Sequence, residues 1–202
     1  MARLFAEIRS YGVPLAHFDI GGGIGVRYKN EEVFSPREMA EAIKPVISQL
    51  GCEIMFEPGR FLTANSGILA IEIIYAKTNR NKIFYVTDGA MTELIRPSLY
   101  SAYHHIQPLI LTAEREDVTA DIVGPVCESS DFIGKNRQIQ KCFAGEKLAV
   151  MSAGAYGMVM ASNYNGRRRP PEIMVDGDKF RTARGRETYE HLLWDEDVID
   201  WQ

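Results

Sequence analysis

The sequence predicts an α/β segment followed by a larger region made mainly of β-strands. Three observations support this architecture. Helix and strand patterns alternate over residues 1–66, short β-forming runs fill most of residues 67–202, and charged or glycine-rich segments follow the ends of predicted strands. Alternation of strand, helix and strand implies parallel strands, which collect functional groups at their carboxyl ends. We therefore expect two regions that meet between residues 62 and 70.

The first region is expected to contain two short strands. Residues 4–10 have the pattern of a helix end, and residues 14–20 that of a buried strand that leads into three consecutive glycines. Residues 52–56 form a second strand, which runs into a Glu-Pro-Gly-Arg sequence. Each predicted strand therefore ends at a segment that is suited to contact a ligand.

A helix between these strands has start and stop signals. Ser35 is suited to the N-cap, Pro36 to the first turn and Glu38 to the third position, where its carboxylate can return a hydrogen bond to the cap. Apolar residues recur at helical spacing as far as Leu50, and Gly51 is expected to end the helix. The pattern thus predicts one helix that links the two strands.

From residue 67 onward the pattern changes to short strands separated by turn residues. The runs lie at residues 68–78, 82–87, 108–112, 118–123, 137–142 and 147–152. Asn79-Arg80-Asn81 is typical of a hairpin turn. Helices are expected at residues 92–102, 156–163 and 187–193. This succession is typical of a β-sandwich or a β-barrel-like domain.

The first region is too short to form a complete (β/α)8 barrel. Such a barrel takes roughly 200 residues or more, and residues 1–66 supply about two or three of its strands. We interpret this region as the last units of a barrel, and the chain as the rear portion of a longer protein.

Bulk composition disfavours several classes of protein. A net charge of -4 argues against a nucleic-acid binder that neutralises phosphates broadly. No apolar run reaches the roughly 20 residues of a membrane span, and the N-terminus lacks a signal-peptide pattern. Cys52, Cys127 and Cys142 are odd in number and far apart, which argues against a disulfide framework or a zinc site. A reducing cytoplasm is therefore the expected location.

The most informative segment runs from residue 154 to residue 171. It joins a small-residue loop, Tyr156, an expected helix start and an arginine-rich exit. A glycine-rich turn that opens a helix can bind phosphate, because its free N–H groups and the helix dipole point to one place. The three arginines at residues 167–169 are interpreted as a loop or rim, since two prolines follow them.

Two further segments could hold an anionic ligand. Gly21-Gly22-Gly23 lets backbone N–H groups approach an anion closely, although an ordinary strand-to-loop turn also explains three glycines. Glu57-Pro58-Gly59-Arg60 separates an acid from a base by a rigid turn. The carboxylate could keep a pyridine-type nitrogen protonated while the guanidinium binds a carboxylate or phosphate. A surface ion pair is the alternative for this segment.

Cys127 stands beside Glu128 at the end of another predicted strand. A thiol in such a loop can donate a proton, although a single cysteine more often acts as a small buried hydrophobe. That second interpretation is preferred for Cys52 and Cys142, which lie within apolar strand patterns.

Arg96 and Tyr100 are four residues apart, which places them on one face of a short helix. Together they could bind a distant carboxylate or amine of a ligand. His104 and His105 follow, but they lack metal-binding partners in the sequence and are interpreted as structural or rim residues.

Taken together, these segments make the chain resemble the pyridoxal-phosphate-dependent decarboxylases of fold type III. Residues 19–23 match that family's phosphate-binding glycines, with Gly23 as the expected contact. Residues 57–60 match the segment whose Glu pairs with the pyridine nitrogen and whose Gly-Arg backbone helps to seat the phosphate. Residues 127–131 match a loop that enters the site from the partner subunit, and Tyr156 matches a tyrosine near the cofactor phosphate.

This resemblance implies the cofactor pyridoxal 5'-phosphate and a small amino-acid substrate. The implied cofactor-binding residues are Gly23, Glu57, Pro58, Gly59, Arg60 and Tyr156. The implied substrate-binding residues are Arg60, Arg96, Tyr100, Glu128 and Tyr156. Cys127 is expected to return a proton to the α-carbon after CO2 leaves. Because Cys127 and Glu128 would act in a second subunit, a homodimer with shared active sites is implied, and no metal, nucleic acid or membrane is expected to take part.

Within this family the chain looks most like the diaminopimelate decarboxylases. The comparison depends on residues 91–100, on Glu128 rather than Asp after the cysteine, and on residues 161–165. It implies decarboxylation of meso-2,6-diaminopimelate to L-lysine, the last step of lysine biosynthesis. Arg60 would bind the carboxylate that does not react, and Arg96 and Tyr100 would complete its recognition. A related ornithine, arginine or carboxynorspermidine decarboxylase is an alternative, as is a non-catalytic dimerisation module.

One part of the family's pattern is absent from the sequence. The lysine that forms a Schiff base with the cofactor, and a histidine that stacks on its ring, lie in earlier barrel strands. No lysine of this chain stands in a matching motif. The resemblance is therefore to the C-terminal half of such an enzyme, and we expect the 202-residue chain by itself to be inactive.

Overall fold

Two short parallel strands and three helices occupy the first part of the computed structural model, which describes residues 1–199 and 201. The elements are α1 (Ala2–Ser10), β1 (His17–Asp19), α2 (Pro36–Ile47), β2 (Glu53–Met55) and α3 (Gly59–Thr63). His17 pairs with Glu53 and Asp19 with Met55, so the carboxyl ends of both strands lie at one edge. The predicted parallel pair is confirmed, although each strand is shorter than expected. Asp200 and Gln202, at the end of the predicted second region, lie outside the described residues.

Helix α2 begins as the sequence predicts and ends earlier. The Ser35 hydroxyl accepts the Glu38 N–H at 3.2 Å, and the Glu38 carboxylate accepts the Ser35 N–H at 2.6 Å. The helix stops at Ile47 instead of continuing to Leu50. Pro45 lies within the last turn and cannot donate a backbone hydrogen bond there, which weakens the end of the helix.

The expectation that β1 is a buried strand is wrong. Its two outer residues are exposed and only Phe18 is half-buried, packed edge-on against Phe5 at 5.2 Å between ring centroids. No residue of α2 is fully buried either. The β1–β2 pair has no further strand beside it in the described part of the chain, so its faces and edges are left largely uncovered.

A mixed six-stranded sheet forms the centre of the second part. Its strands are β3 (Leu69–Asn79), β4 (Lys82–Thr87), β5 (Ile106–Pro108), β6 (Asp117–Val123), β7 (Phe132–Gln140) and β8 (Lys147–Val150). They lie in the order β5-β8-β3-β4-β6-β7. Strands β4 and β6 are parallel, and all other neighbours are antiparallel.

The edge strands β5 and β7 approach each other and nearly close this sheet. A Cβ on Gly134 in β7 would lie 2.9 Å from the Cδ1 atom of Ile106 in β5, so a larger residue would hold the edges apart. The buried side chains form one cluster: Ile71, Ile73, Tyr85, Leu94, Ile106, Ala120, Ile122, Ile133, Ile139, Cys142, Leu148 and Val150. A barrel-like β-sheet, one of the two forms expected from the sequence, is thus present.

The turn between β3 and β4 has the predicted position. Asn79 pairs with Lys82, which leaves Arg80 and Asn81 as a two-residue loop. Both have positive φ, 46° and 67°, and such left-handed conformations match the twist of a tight hairpin.

Two predicted helices are shorter than expected and one is absent. Helix α4 spans Arg96–Tyr100 instead of residues 92–102, and α5 spans Tyr189–Leu192 instead of residues 187–193. Residues 156–163 contain a single 3-10 turn at Met158–Met160 and no α-helix. The left-handed conformation of Tyr156, with φ of 60°, interrupts the helical path.

The strand predictions differ from the structure in two ways. Strands β5 and β7 lie earlier in the sequence than the predicted runs at 108–112 and 137–142. An antiparallel hairpin of β9 (Glu172–Asp176) and β10 (Lys179–Arg184) was not predicted. The Gly177-Asp178 pair at its turn is a hairpin signal, but both strands are exposed and lack the alternation of a strand with one buried face.

Candidate active site

The loops that follow β1 and β2 meet at the shared edge of the two strands. The Glu57 N–H donates to the carbonyl of Gly21 at 2.8 Å. A Cβ on Gly22 would lie 2.6 Å from the Glu57 carbonyl oxygen, so only glycine allows the two loops to pack so closely. Asp19 supports the first loop by accepting the Gly21 N–H at 2.7 Å. The glycine loop after β1 and the Glu57 loop after β2 are therefore held side by side, although they lie far apart in the sequence.

A cavity of about 340 Å³ lies against these loops. Its lining consists of Gly22, Gly23, Ile24, Gly25, Glu57, Pro58, Arg60, Phe61 and Tyr156. Five of the six residues expected to bind a cofactor line this cavity. The sixth, Gly59, begins helix α3 between two lining residues.

A second cavity of about 390 Å³ adjoins the first. It is lined by Arg60, Arg96, Tyr100, Ala102, Tyr156 and Met160. Arg60 and Tyr156 line both cavities. The Cζ atom of Arg60 lies 5.7 Å from the centroid of the Tyr156 ring, and that of Arg96 lies 6.0 Å from it. The tyrosine ring is therefore within reach of two positive charges.

Arg96 is deeply buried for a charged residue, with 8% of its surface exposed. Its Nη1 atom lies 3.1 Å from the Tyr28 hydroxyl and 3.0 Å from Nε2 of His104. No carboxylate in the described part of the chain forms an ion pair with Arg96 or with Arg60. Two guanidinium groups beside the cavities are therefore available to pair with an anionic ligand.

Tyr156 lines the cavities from a loop and not from the helix start that the sequence predicts. Its φ of 60° is uncommon for a residue other than glycine and aims the ring at the cavities from a loop. Because no α-helix begins there, the expectation of a phosphate seat at a helix N-terminus is wrong for this segment. The side chain and the neighbouring loops, not a helix dipole, define this wall.

Cys127 and Glu128 lie away from both cavities. Both side chains are exposed. The carboxylate of Asp131 fixes the backbone of their loop, because it accepts the Met91 N–H at 2.8 Å and the Val126 N–H at 2.6 Å. The Cys127 N–H also donates to the Asn165 side chain at 3.0 Å. Within one chain, these two predicted site residues are therefore ordered and accessible, but they are not brought to the cavities.

The other two cysteines have structural surroundings. Cys142 is buried just after β7, and burial raises the pKa of its thiol to about 11. Its interpretation as a small hydrophobe is confirmed. Cys52 is half-buried just before β2, outside the strand in which it was expected.

A charged network beside the site was missed by sequence reasoning. Glu93 is buried and pairs with Arg167, whose Nη2 lies 3.2 Å from the carboxylate. Arg167 also donates to Thr92 and to the carbonyl of Asp88. Arg169 pairs with Glu187. Two of the three arginines that were interpreted as a loop or rim are thus ion-paired, and they fix the loop that carries Asn165.

A metal-binding group and a membrane-spanning helix are both absent from the described residues. Residues 1–199 and 201 contain no group of three or more His, Cys, Asp or Glu side chains that could hold a metal ion. Over the same residues, no helix is both long enough and apolar enough to cross a bilayer.

Comparison with known proteins gives consistent similarities. A sequence family described as pyridoxal-dependent decarboxylase, C-terminal sheet domain, matches residues 19–154. The diaminopimelate decarboxylase of Aquifex aeolicus is 41% identical over 191 residues, which cover 94% of this chain and 45% of that enzyme. The diaminopimelate decarboxylase of Neisseria meningitidis serogroup B is 44% identical over 193 residues, which cover 96% of this chain and 46% of that enzyme.

The fold is similar to solved structures as well. Diaminopimelate decarboxylase from Helicobacter pylori, solved in complex with L-lysine, superposes with a TM-score of 0.89 at 39% identity, covering 96% of this chain and 48% of that one. The chain therefore spans about half the length of the proteins it matches. The family's domain matches most of the chain, and the loops after β1 and β2 line one cavity. The chain therefore belongs to the pyridoxal-dependent decarboxylases.

Proposed function

We propose that this chain carries the cofactor-binding and substrate-binding half of a diaminopimelate decarboxylase, which converts meso-2,6-diaminopimelate to L-lysine and CO2. One observation carries the proposal. Gly23, Glu57, Arg60, Tyr156 and Arg96 come from distant parts of the sequence and line two adjoining cavities.

The residues of the first cavity fit pyridoxal 5'-phosphate. When bound, this cofactor supplies an electron sink for the electron pair that remains when CO2 leaves. The Gly22–Gly23 backbone and Tyr156 hold the phosphate, with Pro58 and Gly59 shaping the neighbouring loop. Glu57 keeps the ring nitrogen protonated. The Gly23 backbone at the cavity and Arg60, which has no carboxylate partner among the described residues, are the donor set that a phosphate needs.

The second cavity favours a substrate with a carboxylate at its far end. Arg60, Arg96 and Tyr100 present two positive charges and a hydroxyl there. Diaminopimelate retains a carboxylate at the end that does not react, whereas ornithine and arginine carry a positive charge there. Repulsion between like charges would disfavour those two amino acids. Carboxynorspermidine also lacks a second carboxylate, so the charge pattern favours diaminopimelate over all three alternatives.

The two regions of the chain have separate roles in this proposal. Residues 1–66 form the last units of a (β/α)8 barrel, and residues 67–202 form the β domain. The uncovered β1–β2 pair supports the first assignment, because barrel strands have neighbours on both edges. The remaining barrel strands would supply the Schiff-base lysine and cover the open side of the cavities.

We also propose that two copies share their active sites. Cys127 and Glu128 are exposed and ordered but lie outside the cavities of their own chain. In a homodimer they can enter the site of the second copy, where Cys127 returns a proton to the α-carbon and Glu128 binds substrate. Three free cysteines support a reducing, cytoplasmic setting.

The test joins residues 1–202 to the part of the Aquifex aeolicus enzyme that this chain does not match. We expect CO2 release from meso-diaminopimelate, little from ornithine or arginine, and loss of activity in Arg96→Gln. Equal rates on ornithine would contradict the substrate assignment. A folded dimer that binds pyridoxal phosphate without releasing CO2 from any of these amino acids would favour a non-catalytic module instead.

A further inference from the structure

His104 lies behind Arg96 and has no role in the residue set that lines the two cavities. Its side chain is fully buried, at 0% exposure. Both ring nitrogens have partners: Nδ1 lies 2.9 Å from the carbonyl oxygen of Met151, and Nε2 lies 3.0 Å from Nη1 of Arg96. The ring of Tyr28 packs edge-on against the imidazole, with centroids 5.3 Å apart.

These partners fix the protonation state of the imidazole. A carbonyl oxygen can only accept, so Nδ1 carries the proton and donates it to Met151. A guanidinium can only donate, so Nε2 must offer its lone pair to Arg96. Only the neutral Nδ1–H tautomer satisfies both contacts. Burial lowers the pKa of His104, the carbonyl of Met151 opposes this effect, and the charges of Arg96 and Arg137 lower the pKa further.

Two positive groups, and no acid among the described residues, act on the His104 ring. Arg96 on α4, Arg137 on β7 and Tyr28 are the titratable or charged groups that face the ring. Arg96 is thus held by two acceptors that are not carboxylates, the imidazole and the Tyr28 hydroxyl. A carboxylate in place of His104 would also hold the guanidinium, but it would cancel the positive charge beside the second cavity.

We propose that His104 is a positioning residue for carboxylate recognition by Arg96. Its neutral ring holds the guanidinium at the second cavity and leaves the positive charge of Arg96 for the ligand. This inference rests on the proposed role of Arg96 in binding the distant carboxylate of the substrate. It adds to that role the reason why a buried arginine has a histidine behind it instead of an acid.

Three substitutions separate the contribution of geometry from that of charge. His104→Gln provides a neutral oxygen that can accept from Arg96, and His104→Glu provides an acceptor of nearly equal size that is negatively charged. His104→Asn retains a donor near the position of Nδ1 but does not reach Arg96. Thermal unfolding of each variant establishes that it folds before ligand binding is compared.

The probe is glutarate, a dicarboxylate that needs no cofactor, titrated into the 202-residue chain and followed by NMR of the arginine side chains. We expect His104→Gln to bind glutarate within about threefold of the unaltered chain and His104→Glu to bind at least about tenfold more weakly. His104→Asn should weaken binding and increase the mobility of the Arg96 guanidinium. A purely structural histidine would give equal binding in the folded Gln and Glu variants.

Nitrogen chemical shifts of His104 supply a readout that does not depend on ligand. We expect a protonated Nδ1 and an unprotonated Nε2 at neutral pH. A protonated Nε2, equal binding by the Gln and Glu variants, or failure of the unaltered chain to bind glutarate would overturn the inference. The assembled protein is residues 1–202 joined to the unmatched part of the Aquifex aeolicus enzyme. If glutarate binds as expected and the assembled protein releases no CO2, the proposed function fails while the role of His104 in carboxylate binding stands.

Discussion

The six-stranded sheet and the first 66 residues differ sharply in how they bury their side chains. Ile73, Tyr85 and Leu148 in the sheet are almost completely enclosed. In residues 1–66, α2 has no fully buried residue, and the β1–β2 pair has no further strand beside it in the described part of the chain. Hydrophobic burial is the main stabilising contribution to folding, so the sheet has an extensive core, whereas the first part contributes only Val26 and Ala64 to a small buried cluster.

The walls of the candidate site come from both parts of the chain. Gly23 and Glu57 lie in residues 1–66, whereas Arg96 and Tyr156 lie in the part that contains the six-stranded sheet. The carboxylate-binding side is therefore supported by a packed core. The proposed phosphate-binding side depends on two short strands that further barrel strands would complete. We expect ligand binding to order the two sides unequally.

The largest expected effect comes from truncating matched isoleucines in the two parts. Ile73→Ala should lower the free energy of unfolding by about 4 kcal/mol, because it leaves a cavity in a closed core. Ile43→Ala, at a half-buried position of the mostly exposed α2, should cost less than about 1 kcal/mol. Urea unfolding followed by far-ultraviolet circular dichroism measures both. Similar losses in the two variants would show that the first part has a core of its own in solution.

The next largest effect is expected at the ion pair between Glu93 and Arg167. Glu93→Gln should destabilise the protein by about 3 kcal/mol, because it leaves the partly buried arginine without its counter-charge. Arg184→Gln, in an exposed ion pair of the β9–β10 hairpin, should change stability by less than about 1 kcal/mol. Thermal unfolding of both variants provides the comparison. An equal, small effect would mean that the Glu93 pair does not hold the Asn165 loop to the sheet.

A smaller effect is expected in the acid range from Glu187. Its hydrogen bond from Arg169 is the main cause that lowers its carboxyl pKa from 4.5 to about 2. A lowered pKa stabilises the folded state above pH 4.5, and this contribution is lost as the pH falls from 4.5 towards 2. Because Arg169 is partly exposed, the contribution should be about 1 kcal/mol or less.

Unfolding at a series of pH values measures this contribution in Glu187→Gln, which should be less stable at pH 7 and lose less stability on acidification. An unchanged acid slope would contradict the assignment of this pair as the titrating group.

Features set by neighbours in the sequence were predicted well. The Ser35–Glu38 cap and the two-residue turn at Arg80 and Asn81 depend on residues three or four positions apart, so the local pattern identifies them. The glycine and Glu-Pro-Gly-Arg segments were also identified, because each follows a strand. That the two segments line one common cavity was expected from the family resemblance, because no local pattern predicts it.

Features set by distant contacts were predicted poorly. Residues 156–163 have a helix-like composition, but the left-handed Tyr156 and the surrounding loops impose another path. Tyr28 contacts Arg96 across 68 positions of sequence, and no pattern near either residue indicates that contact. The burial of His104 fits its interpretation as a structural residue, but no local pattern indicates which residue it contacts. Its partner is an arginine eight positions away, brought to it by the end of α4.

The central claim is that the two adjoining cavities form one site for a phosphate and a distant carboxylate. The most direct measurement is a crystal structure of the assembled protein with pyridoxal phosphate and L-lysine. We expect the phosphate to lie against Gly22, Gly23 and Tyr156, and the lysine carboxylate to contact Arg96 in the second cavity. Phosphate bound on another surface, or a lysine carboxylate that makes no contact with Arg60 or Arg96, would contradict it.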